Sequence, residues 1–179
     1  DNYDLEPDIE DAATVADLFG LDIRAKRVNL KDGTHRYEPS VYWSGFSYQG
    51  DGASFKGYYR HKAGALAAVT SYAPKDEALH GIVRRLTQVQ KRNFYQLRAD
   101  IVQRGNYCHE MTMQFEIHRA DDKPVSDEDE EELKECLRDY ARWIYRNLER
   151  EYDYQDSDEY IDEVMVLNEY EFTEEGKVV

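Results

Sequence analysis

Apolar side chains recur along this chain with two different periods, and the switches between them mark out its elements. Residues 8–20 carry Ala12, Val15, Ala16 and Phe19 at helical spacing, and Gly20 offers a left-handed stop. A strand is predicted over 23–30, turned by Lys31-Asp32-Gly33. Residues 40–48, with Val41, Trp43 and Phe46 among small or polar neighbours, read as one arm of a hairpin. Gln49-Gly50-Asp51-Gly52 is its turn and 53–59 its returning arm. Residues 62–72 form an alanine-rich helix that Pro74 ends. A second helix over 76–90 places Leu79, Ile82, Val83, Leu86 and Val89 on one face. Period two then returns: 94–103 and 107–118 read as strands joined at Arg104-Gly105-Asn106. In the second, Met111, Met113, Phe115 and Ile117 alternate with Thr112, Gln114, Glu116 and His118.

Beyond Pro124 the helical period takes over. Ser126 is a good N-cap, and the acids from Asp127 to Glu132 suit the positive end of a helix dipole. Leu133, Leu137, Tyr140, Ile144 and Leu148 mark one face of a long helix, bordered by Cys136, Trp143 and Asn147. A break near 154–157 precedes a last helix over 158–168, expected to turn Ile161, Val164 and Leu167 inward. Tyr170-Glu171-Phe172 reads as a short packed extension. No repeat or linker interrupts the pattern. The expected fold is therefore a single α+β domain over 1–179: an antiparallel sheet of about five strands, helices on one face, and an acidic helical C-terminal part.

Charge sharpens that division. Residues 1–17 hold seven acids and no base; 18–119 hold sixteen Lys+Arg against nine acids; 120–179 hold seven bases against twenty-two acids. An acidic N-terminal helix (1–20), a basic α+β core (21–119) and an acidic helical part (120–179) follow. The opposed charges permit the ends to fold back on the middle. Two cysteines, Cys108 and Cys136, are too few for a disulfide framework, although they could form one optional bridge, and they point to a reducing host cytoplasm. No apolar run is long enough for a membrane span, and no leader pattern is visible.

Candidate chemistry is sparse. The five histidines, His35, His61, His80, His109 and His118, are scattered, with no HExxH or CxxC pattern. Cys108-His109-Glu110 places three possible ligands side by side, but in a strand neighbours point to opposite faces and do not converge. Ser44-Gly45-Phe46-Ser47 lacks the second glycine of a nucleophile elbow, and Gly50-Asp51-Gly52 is turn chemistry without the Lys-Ser/Thr of a phosphate loop. No cofactor, metal or catalytic residue is expected. Arg84, Arg85, Lys91, Arg92, Arg98 and Arg104, with Phe94 and Tyr95 between them, suggest a nucleic-acid surface. A pI near 4.7 argues against it, and pairing of these cations with the acidic ends is the stronger expectation.

The acidic helices themselves read in two ways. One is a solvated face that touches nothing. The other is a partner-binding surface made of Asp127, Glu128, Asp129, Glu130, Glu131, Glu132, Glu135, Asp139, Glu149, Asp153, Asp156, Asp158, Glu159, Asp162 and Glu163, with Trp43 and Tyr48 from the aromatic hairpin. Closely spaced carboxylates on a rigid helix can imitate a phosphate backbone, which carries about one charge per 1.7 Å of duplex.

Residues 42–57, reading Tyr42-Trp43-Ser44-Gly45-Phe46-Ser47-Tyr48-Gln49-Gly50-Asp51-Gly52-Ala53-Ser54-Phe55-Lys56-Gly57, resemble a pattern in small phage and prophage proteins. The later stretches Arg142-Trp143-Ile144-Tyr145-Arg146-Asn147-Leu148 with Glu149-Arg150-Glu151-Tyr152-Asp153-Tyr154, and Asn168-Glu169-Tyr170-Glu171-Phe172-Thr173, resemble the same group. Some of its members carry the label antitoxin. The resemblance implies a phage or mobile-element origin, and by analogy a protein that binds and disables a host factor. The expected function is a non-enzymatic inhibitor of a host protein with a basic surface. An antitoxin-like neutraliser and a small enzyme without a recognisable motif are the alternatives.

Overall fold

The computed structural model describes residues 3–168. The first apolar stripe folds as α1 (Glu6–Leu18), with Pro7 in its opening turn and Ala12, Val15 and Ala16 buried. Gly20 then reverses the chain at φ +96°, where a Cβ would collide with the Arg60 carbonyl.

The next six strands come from three segments, each of which bends once. The first gives β1 (Leu21–Ile23) and β2 (Ala25–Asn29), the second β3 (His35–Pro39) and β4 (Val41–Trp43), the third β5 (Ala53–Phe55) and β6 (Gly57–Arg60). The bends fall at Arg24, Ser40 and Lys56, and their backbones bond in a ring. Arg24 N–H donates to Lys56 at 2.9 Å, Ser40 N–H to Arg24 at 2.8 Å, and Lys56 N–H to Ser40 at 3.0 Å. Each bent segment thus shares one half with each neighbour: β2 pairs β3, β4 pairs β5, and β1 pairs β6, all antiparallel. The expected strand over 23–30 and the hairpin over 40–59 are broken by these bends, because a straight strand cannot serve two sheets. Residues 44–51 leave the ladder as a loop, and β3, exposed along most of its length, carries no alternation that would have announced it.

Past the helices α2 (Ala65–Tyr72) and α3 (Glu77–Arg92), strands β7 (Leu97–Gln103) and β8 (Met113–Arg119) complete a four-stranded antiparallel sheet in the order β1-β6-β7-β8. Leu21, Ile23, Tyr59, Leu97, Ala99, Ile101 and Met113 are buried on its inner side, beneath the helices. Asp76 caps α3 by accepting the Leu79 N–H at 3.0 Å. The fold is α+β with an antiparallel sheet, and the remaining four strands form two two-stranded sheets.

Two segments expected as strand ends are turns instead. Phe94 and Tyr95 adopt φ of +53° and +61°, a left-handed exit from α3 that costs non-glycine residues about 1–2 kcal/mol each. Tyr95 N–H reaches back to the Gln90 carbonyl at 2.7 Å, and the buried Gln90 side chain bonds both the N–H and the carbonyl of Leu97. Residues 107–112 form a loop and a 3-10 turn (Glu110–Thr112), leaving Met111 exposed outside the alternating pattern.

The long helix α4 (Asp127–Gln155) is capped as expected: the Ser126 hydroxyl accepts the Asp129 N–H at 3.2 Å. Leu133, Cys136, Leu137, Tyr140, Ala141, Trp143, Ile144 and Leu148 are buried. Tyr140 meets Phe19 edge-on at 4.9 Å and donates its hydroxyl to the Ala12 carbonyl, tying α4 to α1. The last helix, α5 (Asp158–Leu167), departs from expectation. It has no buried residue; Ile161 is exposed, as are Val166 and Leu167 at 78% and 81%. Helical spacing gave it an apolar stripe, but among the described residues no element covers that stripe beyond half-burying Val164. The expected extension at Tyr170-Glu171-Phe172 falls outside the described residues.

Candidate partner-binding surface

The acids singled out in the sequence do not form one surface. Those from Asp129 to Asp139 are answered by cations at close range. Arg85 of α3 bonds Glu132 at 3.1 Å and Asp139 at 2.5 Å. Arg142, one of the helix's own residues, reaches Glu135 at 2.6 Å, Asp139 at 2.7 Å and Glu110 at 3.0 Å. Arg92 holds Asp129 at 2.8 Å, assisted by the Asn93 amide at 2.9 Å. Lys134 pairs with Glu130 at 2.7 Å and Glu131 at 3.0 Å. These contacts fit a helix packed along α3, whose cations near the C-terminal end meet carboxylates near the N-terminal end of α4.

The electrostatics agree. The hydrogen bond that Arg85 donates to Asp139 raises the affinity of Arg85 for its proton. Burial opposes the charge of Arg142, yet its bonds to Glu135, Asp139 and Glu110 outweigh that and raise its pKa. Burial likewise works against an ionised Asp129, but Asn93 and Arg92 hold its carboxyl below the usual range. Cys136, beneath this network, is pushed up to about 12 by burial, and both it and Cys108 are free thiols. The optional bridge between them is not formed.

The second half of the set stands differently. Among the described residues, Glu149, Asp153, Asp158, Glu159 and Asp162 have no ion-pair partner, and neither do Asp127 and Glu128 at the start of α4. Among the described residues, Asp156 accepts only the Tyr3 hydroxyl at 3.0 Å, and Glu163 only the Tyr154 hydroxyl at 2.7 Å. The far end of α4 is nonetheless well fixed. The Asp4 N–H and carbonyl bond the Gln155 side chain, both at 2.9 Å, and the rings of Tyr3 and Tyr152 lie 4.4 Å apart. The N-terminal segment adds acids the sequence reading had not joined to this surface. Asp8 faces Glu151, and burial together with that like charge raises its pKa.

Trp43 and Tyr48 separate. Trp43 lines a recess of about 250 Å³ with Tyr3, Leu5, Ile9, Glu6 and Glu10, beside the fixed end of α4. Tyr48 is 82% exposed at the tip of the 44–51 loop. That loop docks on α4 through Phe46, stacked on Tyr152 at 4.9 Å and beside Tyr145 at 5.5 Å, while the Tyr145 hydroxyl donates to the Gly45 carbonyl. The two stretches 42–57 and 142–154 therefore touch.

His109 and Glu110 lie in the turn before β8, not in a strand, so the opposite-face argument does not apply to them. Their side chains approach to 3.2 Å. However, His109 Nδ1 accepts the Met111 N–H at 3.1 Å, and a nitrogen that accepts carries no proton for a carboxylate. This contact is a turn cap. No group of three His, Cys, Asp or Glu side chains among the described residues converges on a metal position, and no helix among them is long and apolar enough to cross a membrane.

Residues 5–158 match the model of a domain of unknown function (DUF8835), and the chain belongs to that family. The match ends at the first residue of α5. No curated protein and no solved structure matches the chain.

Proposed function

We propose that this chain is a non-enzymatic accessory protein of a phage or mobile element that binds and inhibits a host protein through an acidic arm, in the host cytoplasm. The arm runs over 149–163, at the end of α4 and along α5. The carrying observation is the division of the acids: those of 129–139 are spent on internal cations, whereas those of 149–163 have none among the described residues. Three uncovered apolar residues, Ile161, Val166 and Leu167, lie on the same arm, and Trp43 lines the recess beside its fixed end. Charge would steer a basic partner and the apolar residues would hold it.

Charge density bears on the mode of binding. Between 149 and 163 the chain carries eight carboxylates. Counted at helical rise across the end of α4, the turn at 156–157 and α5, about 22 Å, that is about one per 3 Å, against about one per 1.7 Å for duplex DNA. The arm is better matched to a short basic segment or patch on a protein than to a groove built for a duplex. The test is retention of host proteins from lysate on the wild-type chain and on a Glu149→Lys, Asp153→Lys, Asp158→Lys variant, followed by measured affinity for the retained protein. Loss of affinity by tenfold or more, with unchanged folding, is expected; equal affinity would remove the proposal.

A further inference from the structure

The outer face of the main sheet holds a site of the opposite charge. Register sets its rows: Arg60 lies opposite Arg98, and Arg98 opposite His118. Side chains directly opposite in antiparallel strands share a face, with Cα atoms about 4.5–5.5 Å apart, and like charges placed so repel. Among the described residues neither arginine has an ion-pair or hydrogen-bond partner for its guanidinium. In a chain of net charge −15, with acids to spare, two adjacent arginines left unanswered call for an anion from outside.

The arginines border an open-sided recess of about 850 Å³, lined also by Tyr58, His61, Lys62 and Tyr95. Lys62 is turned toward α1 by the Asp17 carbonyl at 2.8 Å, and Asp17 and Asp22 are the acids at the rim. Tyr95 stands over His61, ring centroids 4.4 Å apart. The two rings are tilted by 37°, and burial disfavours the charged form of His61, so the pair sets aromatic surface beside the arginines. Tyr95 reaches this place only by adopting a left-handed backbone that glycine would adopt without strain. Strain of this kind gathers at functional sites.

We propose that this recess binds a mononucleotide-class ligand, its phosphate between Arg60 and Arg98 and its flat ring against Tyr95. Planar guanidinium forks match phosphate oxygens in pairs, aromatic side chains stack on bases, and the recess has the size of a small-molecule site. A polymer is disfavoured by the neighbouring row, Asp22, Tyr58, Asp100 and Glu116, which places three carboxylates about 7 Å further along the strands. A single phosphate fits the cationic row; a chain of them would run onto the acidic one.

Calorimetric titration of the full chain with AMP, adenosine, inorganic phosphate and a short single-stranded oligonucleotide tests this. AMP is expected to bind at least about tenfold more tightly than inorganic phosphate, and adenosine not measurably. Arg60→Gln and Arg98→Gln, both at the sheet surface, should each weaken AMP by roughly tenfold while melting like the wild type. Tyr95→Gly keeps the backbone turn and should abolish the advantage of AMP over phosphate. No binding of AMP at millimolar concentration, arginine variants that bind as the wild type does, or an oligonucleotide that binds more tightly than AMP would each overturn the assignment.

Discussion

The two halves of α4 differ in composition and in situation: 127–140 carries eight acids against two bases, 141–155 three of each. In the first, Arg85, Arg92, Lys134 and Arg142 answer the carboxylates within hydrogen-bond distance, and the helix is clamped to α3. In the second, Arg146 and Arg150 form no ion pair among the described residues, Glu149 is half-buried and Asp153 exposed, and the helix is held by ring contacts of Tyr145 and Tyr152 with Phe46 and by Tyr3 and Asp4 at its end. A run of acids therefore says little about its own use. What decides is whether a neighbouring element brings cations to it, and α3 reaches one half and not the other.

Breaking the clamped half should have the largest effect. Arg142→Ala leaves Glu110 without its arginine and takes one of two cations from Glu135 and from Asp139, and is expected to cost about 2 kcal/mol, discounted for the partial exposure of the site. Urea denaturation measures it, and a loss under about 0.5 kcal/mol would show the network to be a surface ornament. Charge reversal at Glu149, Asp153 and Asp158 should do the opposite, changing stability by less than about 0.5 kcal/mol while weakening partner binding; an unfolded variant would contradict the division drawn here. Asp129→Asn should cost about 1 kcal/mol at neutral pH. Because the folded carboxyl titrates below its unfolded value, that contribution is present above the unfolded pKa and lost as pH falls through the folded one. Wild type and variant should therefore converge in acid melts; a constant gap would refute the assignment. Smallest is Asp8→Asn, expected to stabilise by about 0.5 kcal/mol or less. Here the folded pKa is raised, so the cost of the charge exists above it and disappears as pH falls, and the variant's advantage should fade in the same direction.

Much of this was legible in advance. α1, α3 and α4 announced themselves because their buried stripes repeat over several turns, and Ser126 and Asp76 are caps whose chemistry is local. The expectation that central cations would pair with acidic ends was met at Arg85 and Arg92. The bends at Arg24, Ser40 and Lys56 were not legible, since each depends on backbone bonds to residues far along the chain. Phe94 and Tyr95 looked like strand residues because ring-bearing side chains favour strands, whereas here the end of α3 dictates their backbone. The inward face assigned to α5 failed for a related reason: periodicity reports that a stripe exists, not that anything covers it. The cationic recess was half legible: Tyr95 and Arg98, three positions apart, already stood among the residues that suggested a nucleic-acid surface, whereas Arg60 joins them only through strand register.

The joint formed by Arg24, Ser40 and Lys56 carries a consequence for how such a fold can vary. The three residues are spaced by sixteen positions each (24, 40, 56), and every bond among them belongs to the main chain. Side-chain replacement at Arg24 or Lys56 leaves those bonds uncut; only proline, lacking the amide hydrogen, removes one outright. Apart from the buried Ser40 and the close-packed Gly57, the hub asks little of amino-acid identity, so descendants of this chain can redecorate all three arms around it, and with them whatever the arms grip, without renegotiating the architecture.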